Sequence, residues 1–137
     1  MEVTTYLTFK GDCEAAFGFY RQCLDGTLGG VFRYAGTPYA DQVPADWQDK
    51  VMHASLTLGH QVLMGADVAP ERYEAPKGFS LSLQMSRAAD AERIFDQLSA
   101  GGTIKTPLEK TFWAERFGVL VDRFGITWLI NCDGSES

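Results

Sequence analysis

From Val3 to Phe9 polar and apolar residues alternate, Val-Thr-Thr-Tyr-Leu-Thr-Phe, a two-residue period that predicts a strand with one face on a core. Gly11-Asp12 follows, and Cys13, Ala16, Phe17, Tyr20 and Leu24 then recur at helical spacing. The spacing predicts a helix over about 12–25, capped by the Asp12 side chain, with Glu14 in its first turn and Gly26 as the left-handed residue that ends it. Val31–Tyr34 predicts a short strand, after which a loop carrying Pro38 and Pro44 runs to Asp49. In Val51–Leu58 the alternation resumes, with His53, Ser55 and Thr57 on one face and Met52, Ala54, Leu56 and Leu58 on the other. Gly59-His60 reads as a two-residue hairpin turn and Gln61–Asp67 as the returning strand, which completes a βαβββ module.

The order then repeats. Phe79–Met85 alternates cleanly, Ser86 stands where a cap belongs, and Ala91, Ile94, Phe95 and Leu98 form a helical stripe closed by Gly101-Gly102. Thr103–Thr106, Phe112–Ala114, Phe117–Val121 and Ile126–Cys132 are expected as strands, with a turn at 122–125 in which Asp122 is a turn residue. Asp12 and Ser86 lie 74 residues apart and Gly26 and Gly101 lie 75 apart, a coincidence that internal duplication explains most simply. The predicted fold class is α+β: two βαβββ modules forming a curved, open-barrel-like mixed sheet with helices on the outer face. Module 1 spans about 1–68, a linker about 69–77, module 2 about 78–132 and a flexible tail 133–137, all in one domain of 137 residues. On the first strands Leu81, Leu83 and Met85 face the helix, so Ser80, Ser82 and Gln84 face inward, as do Thr4, Tyr6 and Thr8. An inner face lined this way is a small-molecule pocket, and the 35–50 loop would act as a partial lid over it.

Charge and cysteine content narrow the partners. Twelve basic residues against eighteen acidic ones give a net charge of −6, which repels a phosphate backbone, so no nucleic-acid partner is expected. No apolar run approaches the ~20 residues that cross a bilayer, and Met-Glu-Val-Thr-Thr lacks the basic start and apolar stretch of a secretory signal. No membrane association and a cytoplasmic location are therefore expected. Cys13, Cys23 and Cys132 are odd in number and contain no C-x-x-C pair, which predicts reduced thiols rather than a disulfide framework or a zinc knuckle.

Particular segments carry a family resemblance. They are Phe9–Tyr20, Val51-Met-His-Ala54, Leu63-Met-Gly-Ala-Asp67, Thr106–Gly118 with its Thr-Phe-Trp core, and Asp122-Arg-Phe-Gly-Ile-Thr-Trp128. Through them essentially the whole chain resembles the PhnB-like branch of the vicinal-oxygen-chelate (glyoxalase/bleomycin-resistance/dioxygenase) superfamily, often labelled 3-demethylubiquinone methyltransferase-like. The resemblance implies a homodimer and a small-molecule cavity, and no particular reaction.

Metal-dependent members of that superfamily place His, Glu or Gln at inward positions on the first and last strands of each module, so that the ligands converge on one divalent ion. Aligned here, those positions hold Thr4, Met64, Ser80 and Leu129, so no metal is expected. No cofactor is expected either. A nucleotide-like cofactor calls for a glycine-rich loop that opens a helix, whereas Gly26-Thr-Leu-Gly-Gly30 follows a helix and precedes a strand. The expected pocket residues are Tyr6, His53, Ser80, Ser82, Trp113, Phe117 and Asp67. His53 is the candidate for anion binding or general-base chemistry, or else a hydrogen-bonded strand histidine without chemistry. Trp113, Phe117 and Trp128 would stack on a planar ligand or fill a core or dimer contact, and Asp67 would orient a polar ligand group or begin a turn. The expected function is metal-independent small-molecule binding. The alternative is an enzyme of the same superfamily, either a metal-dependent lyase or dioxygenase, or a metal-free isomerase with His53 as base.

Overall fold

Two four-stranded mixed sheets, each with one helix, make up the computed structural model, which describes residues 1–137. The first compact unit, Met1–Glu74, contains strand β1 (Thr5–Phe9), helix α1 (Cys13–Leu24) and strands β2 (Thr27–Arg33), β3 (Val51–Leu58) and β4 (Gln61–Asp67), in sheet order β1-β4-β3-β2. The second, Ala75–Ser137, contains β5 (Leu81–Arg87), α2 (Ala88–Ser99), β6 (Thr103–Glu109), β7 (Arg116–Val121) and β8 (Thr127–Glu136), in the matching order β5-β8-β7-β6. First and last strands pair in parallel in both units and the other pairs are antiparallel. This is the duplicated βαβββ module, and the fold is α+β.

The helical stripe explains the core of the first unit. Cys13, Ala16, Phe17, Tyr20 and Cys23 are buried on one side of α1, against Leu7, Phe9, Ala54 and Leu56 of the sheet. Phe17 meets the Phe9 ring edge-on at 6.1 Å. The close approach needs a glycine beneath it: a Cβ on Gly65 of β4 would lie 2.9 Å from the Phe17 ring and 2.8 Å from the Leu7 carbonyl. The second unit repeats the device, with Ala91, Phe95 and Leu98 buried and Phe95 seated where a Cβ on Gly118 would lie 2.7 Å away. In each unit the helix covers one sheet face and the alternate residues occupy the other, which we call the open face. No helix is long and apolar enough to cross a membrane.

Local rules misplace several boundaries. Asp12 does not cap α1: its backbone (φ −108°, ψ 11°) is not the extended one a capping side chain needs, and Asp67 accepts from the amides of Gly11 and Cys13 instead. The left-handed residue after α1 is Asp25 (φ 54°, ψ 48°), not Gly26, since Asp tolerates that region better than most side chains. Ser86 lies within β5 and its hydroxyl donates to Glu136 rather than capping α2. β2 begins at Thr27, four residues before the expected strand, because Gly29-Gly30 carries no alternation to reveal it. Phe112–Ala114 is a loop and not a strand: the Thr111 hydroxyl accepts from the amides of Trp113 and Ala114 and closes a turn. Residues 133–136, expected as a flexible tail, extend β8, with Glu136 paired to Arg87. Between β2 and β3 the loop contains short 3-10 turns at Ala40–Gln42 and Ala45–Trp47, and the Gln48 amide fastens it by donating to the Ala40 carbonyl.

Candidate functional site

On the open face of the first unit, β1 contributes Tyr6 and Thr8, β4 Met64, β3 His53 and Ser55, and β2 Phe32. The strand alternation puts them there: Leu7 and Phe9 are buried under the helix while Tyr6, on the alternate face, is 49% exposed. The Tyr6 hydroxyl lies 3.1 Å from His53 Nδ1, and the two rings are 5.7 Å apart. Phe32 stands on the other side of the imidazole at 6.5 Å and is itself 56% exposed. Burial first, then the Cys13 and Tyr34 side chains, push the Tyr6 phenol above its ordinary range, so it stays protonated. The tautomer sets the direction: with the ring proton on Nε2 the phenol donates to Nδ1 and Nε2 is a donor, and with the proton on Nδ1 the ring donates to the phenol oxygen and Nε2 is an acceptor.

The open face of the second unit carries a polar chain beside aromatics. Asn131 Nδ2 donates to Gln84 Oε1 at 3.0 Å, and Gln84 Nε2 donates to Ser82 Oγ at 2.8 Å. Phe117 is the β7 partner of Asn131, and Trp113 packs against Phe117 at 5.2 Å while remaining 54% exposed. Ser80 is exposed just ahead of β5. A hollow of about 270 Å³ is bordered by Gln84, Ser86, Asn131 and Asp133. A larger groove, about 510 Å³, lies on the first unit between residues 2–5 and the β3–β4 hairpin, and does not include Tyr6 or His53.

One expected pocket residue, Asp67, belongs elsewhere, and Trp128 takes the core alternative. Asp67 is 1% exposed on the helix side: Oδ1 accepts from the amides of Gly11 and Cys13, and Oδ2 from that of Val51, so its carboxylate holds backbone rather than ligand. Trp128 is buried and donates through Nε1 to Asp122, whose carboxylate also accepts from the amides of Phe124 and Ile126 in the turn. Phe32 and Asn131 were not anticipated at a site. Alternation of Thr127, Leu129 and Asn131 against buried Trp128, Ile130 and Cys132 is the signal that identifies Asn131; four residues of strand around Phe32 give no usable face.

Residues 1–131 match the family model described as 3-demethylubiquinone-9 3-methyltransferase. The chain belongs to this family. It is similar to protein PA1353 from Pseudomonas aeruginosa, whose crystal structure shares 44% identity and a TM-score of 0.88 over 97% of this chain and 98% of that one. It is similar to protein YjdN of Escherichia coli (strain K12), 30% identical over 96% of this chain and 95% of that protein. The PhnB protein from Bacillus cereus is 25% identical with a TM-score of 0.83, covering 96% and 99%. The fold alone extends to a glyoxalase/bleomycin resistance protein/dioxygenase family enzyme from Burkholderia phytofirmans PsJN, at 15% identity and TM-score 0.64 over 94% and 97%. The chain is thus PhnB-like, with the fold seen in the vicinal-oxygen-chelate (glyoxalase/bleomycin-resistance/dioxygenase) superfamily.

A divalent ion of the kind that superfamily can hold does not fit the donors present. Thr4, Met64, Ser80 and Leu129 offer hydroxyls, a thioether and hydrocarbon, and no three His, Cys, Asp or Glu side chains cluster anywhere in the chain. His53 is a single imidazole already in contact with a phenol. The family's methyltransferase description meets no nucleotide-type loop either, since Gly26–Gly30 leads into β2 and not into a helix.

The cysteines are core residues. All three are buried, and burial, with the Asp67 and Glu14 carboxylates nearby, pushes the Cys13 thiol up to about 12. Iodoacetamide at pH 8 is expected to label none of the three in the folded chain and all three in urea, as read by intact mass. Labelling of Cys13 in the folded protein would contradict its burial.

Proposed function

We propose that the chain binds a small organic molecule on the open face of its first module, without a resident metal, and that Tyr6, His53 and Phe32 hold it. The observation that carries this reading is the Tyr6–His53 hydrogen bond on a half-exposed sheet face, beside an aromatic ring that no core covers. A ligand carbonyl or anionic oxygen meets the Nε2 donor, and its apolar part rests on Phe32 and Met64. Ser80, Ser82, Trp113 and Phe117 form the corresponding surface of the second module. A homodimer and a cytoplasmic setting belong to the same reading, by family likeness, and the net charge of −6 argues against a nucleic-acid partner.

Native mass spectrometry of the protein purified from its host tests this directly. A retained organic mass is expected on the native chain, and His53→Gln or Tyr6→Phe should weaken its retention about tenfold at unchanged melting temperature, the scale of one hydrogen bond to a polar or charged group. Retention unaffected by both substitutions, or a stoichiometric divalent metal on elemental analysis, would remove the proposal. A second reading, metal-free proton transfer by His53, uses the other tautomer, in which Nδ1–H donates to the Tyr6 hydroxyl and the Nε2 lone pair accepts the proton. It requires that solvent deuterium enter the bound molecule and that His53→Gln stop this.

A further inference from the structure

The polar chain of the second module has a direction, and its ends are its most reactive points. An amide that donates through its N–H becomes a stronger acceptor at its carbonyl, and a hydroxyl that accepts becomes a stronger donor. In the order Asn131 to Gln84 to Ser82, the strengthened acceptor is Asn131 Oδ1 and the strengthened donor is the Ser82 O–H. Neither end is used by the chain itself. Register sets their separation: Gln84 sits beside Asn131, and Ser82 lies two residues back along β5. With strands ~4.8 Å apart and ~3.3 Å per residue, the two ends are roughly 8 Å apart.

Between and beside them the surface is apolar. Leu129 pairs with Ser82 and with Val119, and Phe117 pairs with Asn131, its ring backed by Trp113. At the Asn131 end, the hollow of about 270 Å³ is also bordered by Asp133, whose carboxyl is held below its usual range by the Ser135 amide and so stays anionic. That end therefore favours a ligand N–H. A lone amide is too short to reach from one end to the other, whereas two fused rings span the distance and cover the Leu129, Val119 and Phe117 floor.

We infer that the open face of the second module binds a planar fused-ring heterocycle, which donates an N–H to Asn131 Oδ1 and accepts from the Ser82 hydroxyl at its far end. The inference does not rest on the role proposed for Tyr6 and His53.

The test uses lumazine (pteridine-2,4-dione), which has N–H groups on one ring and acceptor nitrogens on the other, titrated into the full chain labelled with nitrogen-15. Saturable shifts are expected in the side-chain amides of Gln84 and Asn131 and the indole of Trp113. 1,3-Dimethyllumazine, with the same rings and no N–H, should bind at least tenfold more weakly. Asn131→Leu and Ser82→Ala should each weaken lumazine binding about tenfold, and the backbone amides of Tyr6 and His53 should not shift. Ser82→Ala removes one exposed oxygen, so it keeps the test decisive even if Asn131→Leu fails to fold. Equal binding of the dimethyl compound, native-like binding by Ser82→Ala, or shifts that never saturate would overturn the assignment. So would saturable shifts at the Tyr6 and His53 amides in place of those at Gln84 and Asn131, which would move the ligand to the first module.

Discussion

Replacing Asp67 with Ala is expected to lower the unfolding free energy by roughly 3–5 kcal/mol, measured by urea denaturation. The side chain is 1% exposed and gathers three backbone amides: Gly11 at 3.0 Å, Cys13 at 2.9 Å and Val51 at 3.0 Å. It thereby ties the end of β4 to the start of α1 and the start of β3. A buried donor left without a partner costs about 1–3 kcal/mol, and three such donors would reach the top of the range if nothing relaxed. Two of them lie at the start of α1, where a carboxylate is also favoured by the positive end of the helix dipole. Asp67→Asn separates the contributions. It can keep the Oδ1 contacts but turns an NH2 toward the Val51 amide, donor against donor, so an intermediate loss of about 2 kcal/mol is expected. A near-native midpoint for Asp67→Ala would mean that other groups hold these three segments together.

The same residue shows which parts of the fold were legible. Asp12 occupies the place where a local rule puts a helix cap, and nothing within a turn or two of it reveals that the cap comes from Asp67, more than fifty residues along the chain. Periodicity behaves differently because it is local and repeated. The Val51–Leu58 alternation and the stripe through Ala16, Phe17 and Tyr20 survive in the structure because burial of one face stabilises every apolar residue on it. Boundaries fail where that signal lapses. Gly29-Gly30 hides the first half of β2, and the polar Asp133-Gly-Ser-Glu136 hides the end of β8, whose pairing is supplied by a strand outside the local window. Phe112-Trp113 has strand-like composition, yet the Thr111 hydroxyl beside it settles a turn.

For the candidate site, faces were legible and neighbours were not. Tyr6 and His53 fall on the polar sides of two alternating strands, which places both on the open face. Their contact depends on sheet order: β4 lies between β1 and β3, so the phenol reaches the imidazole across a strand that comes last in the module. The Asn131–Gln84–Ser82 chain is hidden in the same way, because β5 and β8 are the ends of their module in sequence and direct partners in the sheet.

Trp128 is where the second large loss is expected. It is 1% exposed beneath α2, and its indole N–H donates at 2.8 Å to Asp122 Oδ2, while Oδ1 accepts from Phe124 at 2.8 Å and Ile126 at 3.1 Å. Trp128→Ala removes the largest fully buried side chain of the protein and takes a partner from a buried carboxylate at once. Truncating a core Trp costs about 3–5 kcal/mol, and the lost bond to a charged group puts this case at the upper end, roughly 5 kcal/mol. Trp128→Phe keeps most of the volume and isolates the hydrogen bond, so a loss of about 2 kcal/mol is expected. A double-mutant cycle with Asp122→Ala decides whether these are one interaction. If the indole acts through the carboxylate, Trp128→Phe should cost much less once Asp122 is gone, a coupling of at least about 1 kcal/mol. Full additivity would mean that Trp128 stabilises the second module by packing alone, and that the 122–125 turn is held by its backbone bonds without help from the core.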